Sequence, residues 1–428
     1  MGRLPFLIAG CLLIIAFDFY FVKAILAAFK NWSEKAKTRF TRIYWGMTIL
    51  LVTGVFAGIF LNIFLTLRAI ILVSFFLTTA CKIVMLPFLL IDDLRRLCIA
   101  IYRRIKKSGQ TVSAVSSTET TTNTAITNGA EPISRSSFIV KAGIVAAAIP
   151  LTSLTWGITS GAYDYQVRRK TLILPNLPAA FDGITMGQIS DIHSGSFYNR
   201  TAVKGGVEML LREKPDFIFF TGDIVNDMAT EMRDYQDIFN KVKAPLGVYS
   251  SLGNHDYGDY HFGKESSPAK VKNLKDVIKT HELMGWDLLM NENRRLKIDG
   301  EEIGILGIEN WGMGRFPKYG RMDLATKNTD DLPVKLLLSH DPSHWRAEVL
   351  PKYPQIDAMF SGHTHGMQFG VRTEKYQWSP IEYIYKEWAG LYQEQKQQLY
   401  VNVGYGFLGY PGRIGILPEI TIFTLKRA

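Results

Sequence analysis

Four long apolar stretches fill the first 160 residues of this chain, and they divide it between two solvents. Leu4 to Phe29 is broken only by Asp18 and Lys23. Tyr44 to Leu67 and Ala69 to Ile91 are separated at Arg68, and Phe138 to Thr159 is rich in Ala, Ile and Val and holds Lys141 and Pro150. A helix needs about 20 mostly apolar residues to cross the hydrocarbon core, so all four are read as membrane spans. The first run is long and three more follow, which fits a retained anchor better than a cleaved signal peptide. Spans two and three are expected to form a tight helical hairpin around Arg68, with one bent re-entrant segment as the alternative.

Charge divides the chain at the same place. Residues 1–162 hold 17 Lys and Arg against 6 Asp and Glu, a net of +11, while residues 163–428 hold 32 against 33. The formal +10 therefore belongs to the membrane part. A near-neutral second part without a Lys/Arg stripe offers no surface to track a phosphate backbone, which excludes nucleic acid as a partner. The basic residues instead bear on orientation. Lys30, Lys35, Lys37, Arg39 and Arg42 follow the first span, and Arg95, Arg96, Arg103, Arg104, Lys106 and Lys107 follow the third. Short loops rich in Lys and Arg stay cytoplasmic, so the N-terminus and, after four spans, the C-terminal domain are expected on the non-cytoplasmic side. Arg168, Arg169 and Lys170, just past the fourth span, point the other way.

Ser108 to Ser137 is rich in Ser and Thr with almost no large apolar residue, and reads as a disordered linker. Arg95 to Lys107 interleaves Leu, Ile and Tyr with basic pairs. It suits either a short interfacial helix or a plain topogenic charge cluster. Inside the spans Asp18 and Lys82 are costly in lipid and are expected to pair with each other, or with Lys23 or Lys141. Cys11, Cys81 and Cys98 all lie in or beside spans, so cysteine neither requires nor excludes an oxidising compartment. The expected order is three spans within 1–107, a linker at 108–137, a fourth span at 138–160, and one large domain at 163–428.

That last domain reads as α/β. Apolar runs recur at Ile184–Ser190, Phe217–Thr221, Gly247–Leu252, Ile303–Ile308, Val334–Ser339, Ile356–Phe360, Leu399–Val403 and Glu419–Leu425. Helix-like stretches at Ala202–Arg212 and Ala269–Met284 lie among them. Where several of these runs end, residues suited to metal binding begin: Asp191 and His193 in Asp-Ile-His, Asp223 in Gly-Asp, Asn254 in Gly-Asn-His-Asp, His340, and His363 with His365 in Gly-His-Thr-His. All eight histidines lie beyond residue 190, and five sit inside these motifs, a concentration that scattered core or surface histidines do not show. His261 and His281 read as ordinary structural residues. In open α/β sheets ligands bind beyond the carboxyl ends of the strands, which brings the five motifs together. Carboxylate, imidazole and amide oxygen in these numbers suit two divalent cations roughly 3.5–4 Å apart, which activate a shared water and offset charge on a phosphoryl group.

These motifs, together with Ser-His-Asp-Pro-Ser-His-Trp and Ser-Gly-His-Thr-His-Gly-Met-Gln, resemble the calcineurin-like metallophosphoesterases, in particular their membrane-anchored, YkuE-like branch. The resemblance covers residues 180–428. It implies a four-layer α/β/β/α sandwich, preceded here by the α-helical transmembrane region. It further implies one metal held by Asp191, His193 and His365, a second held by Asn254, His340 and His363, and Asp223 bridging both. The metals expected are two divalent ions from among Mn, Fe and Zn. Met367 stands where the family often has Gly, a departure that leaves every expected ligand in place.

His255 is expected to protonate the leaving group, with Asp256 orienting its imidazole; the alternative for Asp256 is a cap on the following turn. His344 and Arg413 are candidates for substrate contact. His344 lies four residues past His340 but follows Pro342, so a structural role stays open, and Arg413 sits in a Gly-rich loop where a guanidinium suits phosphate. Trp388 and the Tyr410–Ile414 loop are expected to line a groove between membrane and metals, with core packing as the alternative for these aromatics. The expected substrate is a phosphate ester or pyrophosphate, lipid-linked by preference. Hydrolysis of soluble nucleotides or phosphoproteins, and a non-catalytic metal-binding sensor, are the rivals.

Overall fold

The computed structural model describes residues 4–61, 65–108, 135–316 and 318–428. The chain forms two compact units, Met1–Leu154 and Thr155–Ala428. Most of the expected Ser/Thr-rich linker lies outside the described residues. Four helices, α1 (Leu4–Ala28), α2 (Glu34–Phe60), α3 (Leu65–Ser108) and α4 (Arg135–Thr159), are long and apolar enough to cross a membrane. Two expectations for this region need correction. Arg68 lies inside the first turn of α3, so the break between spans two and three precedes it. Arg95 to Lys107 is the continuation of α3, a single helix of 44 residues, and not a separate interfacial helix. Leu, Ala, Arg and Lys favour the helix, and no Gly or Pro in residues 95–107 interrupts it.

The second unit contains strands β1 (Gln166–Leu174), β2 (Thr185–Ile189), β3 (Phe217–Thr221), β4 (Val248–Ser251), β5 (Asp287–Leu288), β6 (Glu292–Ile298), β7 (Glu301–Gly307), β8 (Lys335–Leu338), β9 (Ala358–Ser361), β10 (Val371–Arg372), β11 (Gln377–Trp378), β12 (Gly390–Glu394), β13 (Gln397–Val401) and β14 (Glu419–Arg427). They make two six-stranded sheets, ordered β1-β14-β2-β3-β4-β5 and β12-β13-β9-β8-β7-β6, and a small hairpin, β10-β11. Within the sheets β2, β3 and β4 run parallel, as do β7, β8 and β9.

Strand β3 explains the layering. Its side chains alternate, with Phe217 and Phe219 in the core between the sheets and Ile218 and Phe220 in the core under the helices. A strand buried on both faces reads as an unbroken apolar run. Between the sheets Phe219 meets Phe360 of β9 at 5.2 Å between ring centroids. The outer face of the first sheet is covered by α5 (Arg200–Arg212) through Val203, Val207 and Leu210, and by α6 (Pro268–Met284) through Val277 and Met284. Asn199 and Ser267 cap the two N-termini with their side chains. The outer face of the second sheet packs on Trp345, Val349, Met322 and Ala325, which lie on short helical turns. The expected four layers are present, one of them thin.

A buried ion pair joins the helices of the first unit. Asp18, fully buried on α1, lies 2.7 Å from the Lys82 ammonium of α3 and accepts hydrogen bonds from Tyr44 (2.6 Å) and Thr48 (3.0 Å) of α2. One carboxylate thus holds three helices and has its charge compensated. A lone charge in mid-span costs roughly 2.5–3.5 kcal/mol. Lys82→Met should therefore destabilise the protein by about 3 kcal/mol, and adding Asp18→Asn should recover at least half of that loss. Thermal unfolding of the full chain in one detergent, arranged as a double-mutant cycle, checks the pair; additive losses would mean that it is not coupled.

Candidate metal centre

Each site residue follows a strand that runs parallel to its neighbour. Asp191 and His193 follow β2, Asp223 follows β3, and Asn254 to Asp256 follow β4. From the second sheet, His340 follows β8, and His363 and His365 follow β9. Five of these residues have left-handed backbone: Asp191 (φ 52°), His193 (φ 47°), Asp223 (φ 59°), His363 (φ 71°) and His365 (φ 51°). For residues other than Gly this conformation costs about 1–2 kcal/mol. Repeated at five positions, it turns each chain sharply as it leaves the sheet.

The result is two buried clusters. Asp191, His193 and His365 form one, and Asp223, His340 and His363 the other; in each, the ligand-type atoms lie within 4.8 Å of one another. Asn254 joins the second, its Oδ1 2.9 Å from His363 Nδ1. Asp223 stands between them, with Oδ2 3.0 Å from His340 Nε2 and 3.5 Å from His193 Nε2. His365 Nε2 lies 3.3 Å from Asp191 Oδ1. Although these atoms are close, the Nε2 atoms of His193, His340 and His365 make no aligned hydrogen bond among the described residues. Buried polar atoms are normally satisfied. Nitrogen and oxygen lone pairs converging in this way fit divalent cations, so the donor set passes on geometry as well as on chemistry.

Charge agrees with that reading. Burial holds the His193 imidazole well below its ordinary range and lowers His363 as well, which leaves both neutral, as a metal ligand must be. His340 differs: burial would lower it, but the facing Asp223 carboxylate prevails and pushes it up to about 10, so a cation there would have to displace its proton. Burial would raise Asp223 and Asp191, but the imidazoles around them prevail, and Asp191 falls to about 2. A second tier of bonds fixes the rings. His340 Nδ1 donates to the Thr221 carbonyl at 2.7 Å and so aims Nε2 at the cluster. His363 Nε2 meets the Tyr385 hydroxyl at 2.8 Å, and that hydroxyl in turn faces Asp341. Neighbours of this kind orient metal ligands.

Four expectations for individual residues are overturned. Asp256 does not touch the His255 ring. Its carboxylate accepts from the backbone N–H groups of Asp223, Ile224, Val225 and Gly253, at 2.9 to 3.3 Å, and so braces the two ligand-bearing loops. Burial and the nearby Asp223 charge raise it to about 7. His255 is instead oriented by the Asn226 carbonyl, 2.7 Å from Nδ1, and stacks on Tyr260. His344 is fully buried between Ser339 (3.0 Å) and Glu348 (3.3 Å), which leaves it no exposed face for substrate contact. Trp388 is buried beneath the Gly-His-Thr-His turn, where its carbonyl accepts from Thr364.

Arg413 is the fourth. It is fully buried, and its guanidinium donates to the carbonyls of Val403, Gly404, Gly406 and Ile416, which leaves no phosphate-binding face. Nη2 lies 3.2 Å from His365 Nδ1, so the residue supports a cluster member from behind. Asn226, Tyr260, Asp341 and Tyr385 are neighbours of the site that the motifs did not single out for these roles. Asp341 and Asn226 each lie within three residues of a motif residue, the only signal that could have drawn attention to them.

The family described as "Calcineurin-like phosphoesterase" matches residues 184–367, and "Probable Calcineurin-like phosphoesterase, transmembrane domain" matches residues 3–162. The uncharacterized metallophosphoesterase YkuE of Bacillus subtilis is 31% identical over 256 residues, covering 58% of this chain and 82% of YkuE. The transmembrane protein with metallophosphoesterase domain of Danio rerio is 27% identical over 294 residues, covering 67% of this chain; the chain spans 63% of that relative. The UDP-2,3-diacylglucosamine pyrophosphatase LpxG of Chlamydia trachomatis is 27% identical over 321 residues, covering 62% of this chain and 93% of LpxG.

If Asp223 serves both clusters, Asp223→Asn should lose both metals together, whereas Arg413→Lys should weaken the first cluster alone. Elemental analysis after dialysis against limiting chelator reads this directly. Two tightly held ions in Asp223→Asn would contradict the shared carboxylate.

Proposed function

This chain belongs to the calcineurin-like metallophosphoesterases as an integral membrane phosphoester hydrolase, and on that premise we propose that it cleaves a lipid-linked phosphate ester or pyrophosphate at the non-cytoplasmic face of its membrane. One observation carries the catalytic half: the Asp223 carboxylate lies between two buried clusters of Asp and His. Asp191, His193 and His365 would hold one divalent cation, Asn254, His340 and His363 the other, and Asp223 both. Bound there, the two cations supply Lewis acidity to the phosphoryl oxygens and to the attacking water.

The remaining chemistry falls to side chains at the edge of the clusters. His255 is half-buried, its ring 4.9 Å from that of His193, and the bond from Nδ1 to the Asn226 carbonyl leaves Nε2 to pass a proton to the leaving alkoxide. Tyr260 holds that ring by stacking and meets the Asn254 amide at 3.1 Å, so one tyrosine steadies both the acid and a ligand. Asp256 keeps the loops of Asp223 and Asn254 at a fixed separation through its four amide bonds.

Two observations support the substrate half. The chain is anchored by spans, so its site works beside a bilayer, and LpxG, named for a diacylated nucleotide-sugar pyrophosphate, is similar over most of its own length. The distribution of Lys and Arg after spans one and three supports the non-cytoplasmic placement.

His255→Ala should retain both metals and lower turnover of esters with poor leaving groups by about 10² to 10⁴-fold, the usual contribution of general acid catalysis. Nitrophenyl phosphate, whose leaving group needs no proton, should lose far less. Equal losses on both esters would remove His255 from the acid role.

A further inference from the structure

The β10-β11 hairpin is inverted relative to an ordinary surface hairpin. Alternation along its strands puts Phe369, Val371, Tyr376 and Trp378 on one face, with Val371 paired to Trp378 in register. That face is the outer one: Phe369 is 45% exposed, Val371 46% and Tyr376 59%. Arg372, on the opposite face, is turned inward to pair with Glu419. Past the hairpin the chain exposes two more large apolar side chains, Tyr383 (78%) and Ile384 (68%). Large apolar side chains exposed together on one segment mark a site of interaction.

Both ends of the segment belong to the metal centre. Phe369 follows His365 by four residues, and Ile384 precedes Tyr385, which meets His363. The base of the hairpin is also stitched to the loop Tyr410–Ile414: Gly370 N donates to Ile414 O (2.9 Å), Ile414 N to Gln368 O (2.8 Å), and the Gln368 amide to the carbonyls of Tyr410 and Gly412. That loop receives the last turn of α4. Arg413 N donates to Gly157 O at 3.1 Å, and a Cβ at Gly157 would stand 2.4 Å from the Tyr410 hydroxyl. At Gly161 a Cβ would stand 2.0 Å from the Arg413 carbonyl, so glycine at both positions is what lets helix end and loop meet. The apolar face therefore lies one loop away from the end of an apolar helix long enough to cross a membrane.

We propose that this face, Phe369, Val371, Tyr376, Tyr383 and Ile384, sits in the headgroup–acyl boundary of the bilayer that α4 leaves, and that a phosphate ester passes along it from the leaflet to the metals. Tyrosine, with an apolar body and a polar tip, is suited to that boundary, and a face immersed to this depth is stabilised by its buried apolar area. The delivery half rests on the phosphoesterase reading above; the immersion half does not.

The test uses the full chain in nanodiscs, with Cys11, Cys81 and Cys98 replaced by Ala and an NBD fluorophore placed at Val371→Cys, at Ile384→Cys or, as a control on the outer helix, at Lys272→Cys. Lipids brominated on the acyl chain should reduce emission from the first two labels about twofold or more and leave the control unchanged. Labels at 371 and 384 as unquenched as the control would overturn immersion. So would labels shielded from water but not quenched in a protein that is dimeric by mass photometry, since a second copy would then cover the face. For delivery, Val371→Ser combined with Ile384→Ser should lower hydrolysis of phosphatidic acid in vesicles about tenfold and leave that of nitrophenyl phosphate unchanged. Equal losses overturn delivery. A wild-type protein that hydrolyses neither ester defeats the phosphoesterase reading instead and leaves the quenching result standing.

Discussion

Asp223 has to place one small carboxylate between two clusters that come from different sheets. Its Oδ2 faces His193 after β2 and His340 after β8, while its Oδ1 accepts from the His255 amide after β4. Neither sheet alone could hold it there. The position depends on two facing sheets, packed together through contacts such as Phe219–Phe360, and on left-handed turns that are unfavourable in themselves. Burial of five ionisable side chains at one point is likewise unfavourable for the protein by itself. Left-handed residues and buried polar atoms concentrated at the ends of the central strands mark the part of the molecule where fold stability yields to function.

A second constraint runs outward from the same point. The Arg413 side chain fills the space behind His365, and its backbone bonds to Gly157 in the last turn of α4. One residue thus touches both a site side chain and the end of the fourth span. The guanidinium has no room for phosphate because it is occupied in tying four carbonyls together around the site.

The central strands were legible in the sequence and the edge strands were not. Phe217–Thr221 is a strand as read, because burial on both faces demands an unbroken apolar run. Strands β1, β5, β6 and β12 were missed, and all four lie at sheet edges. Edge strands carry charge on their open side: Arg169 in β1 and Arg294 and Arg295 in β6, which pair with Glu213, Asp287 and Asp331 across the surface. The motif residues could be identified from their chemistry, since clustered His and Asp have few other uses. Their supporting neighbours could not. That Asp256 braces loops, that the Asn226 carbonyl orients His255, and that Arg413 is a buried strut depend on contacts between segments far apart in the sequence, and no periodicity encodes them. The aromatic stretch Tyr376–Tyr392 is visible as a feature, but its division into an exposed Tyr383 and a Trp388 buried against Val403 and Ile416 depends on packing between distant segments.

Two cations sharing Asp223 are central to the proposed chemistry, and the distance between them is its most direct measure. X-ray absorption at the metal edge, on full-length protein loaded with manganese, iron or zinc, should show a metal–metal separation of roughly 3.5–4 Å with nitrogen and oxygen neighbours. A single ion per chain, or two ions with no such vector, would contradict it.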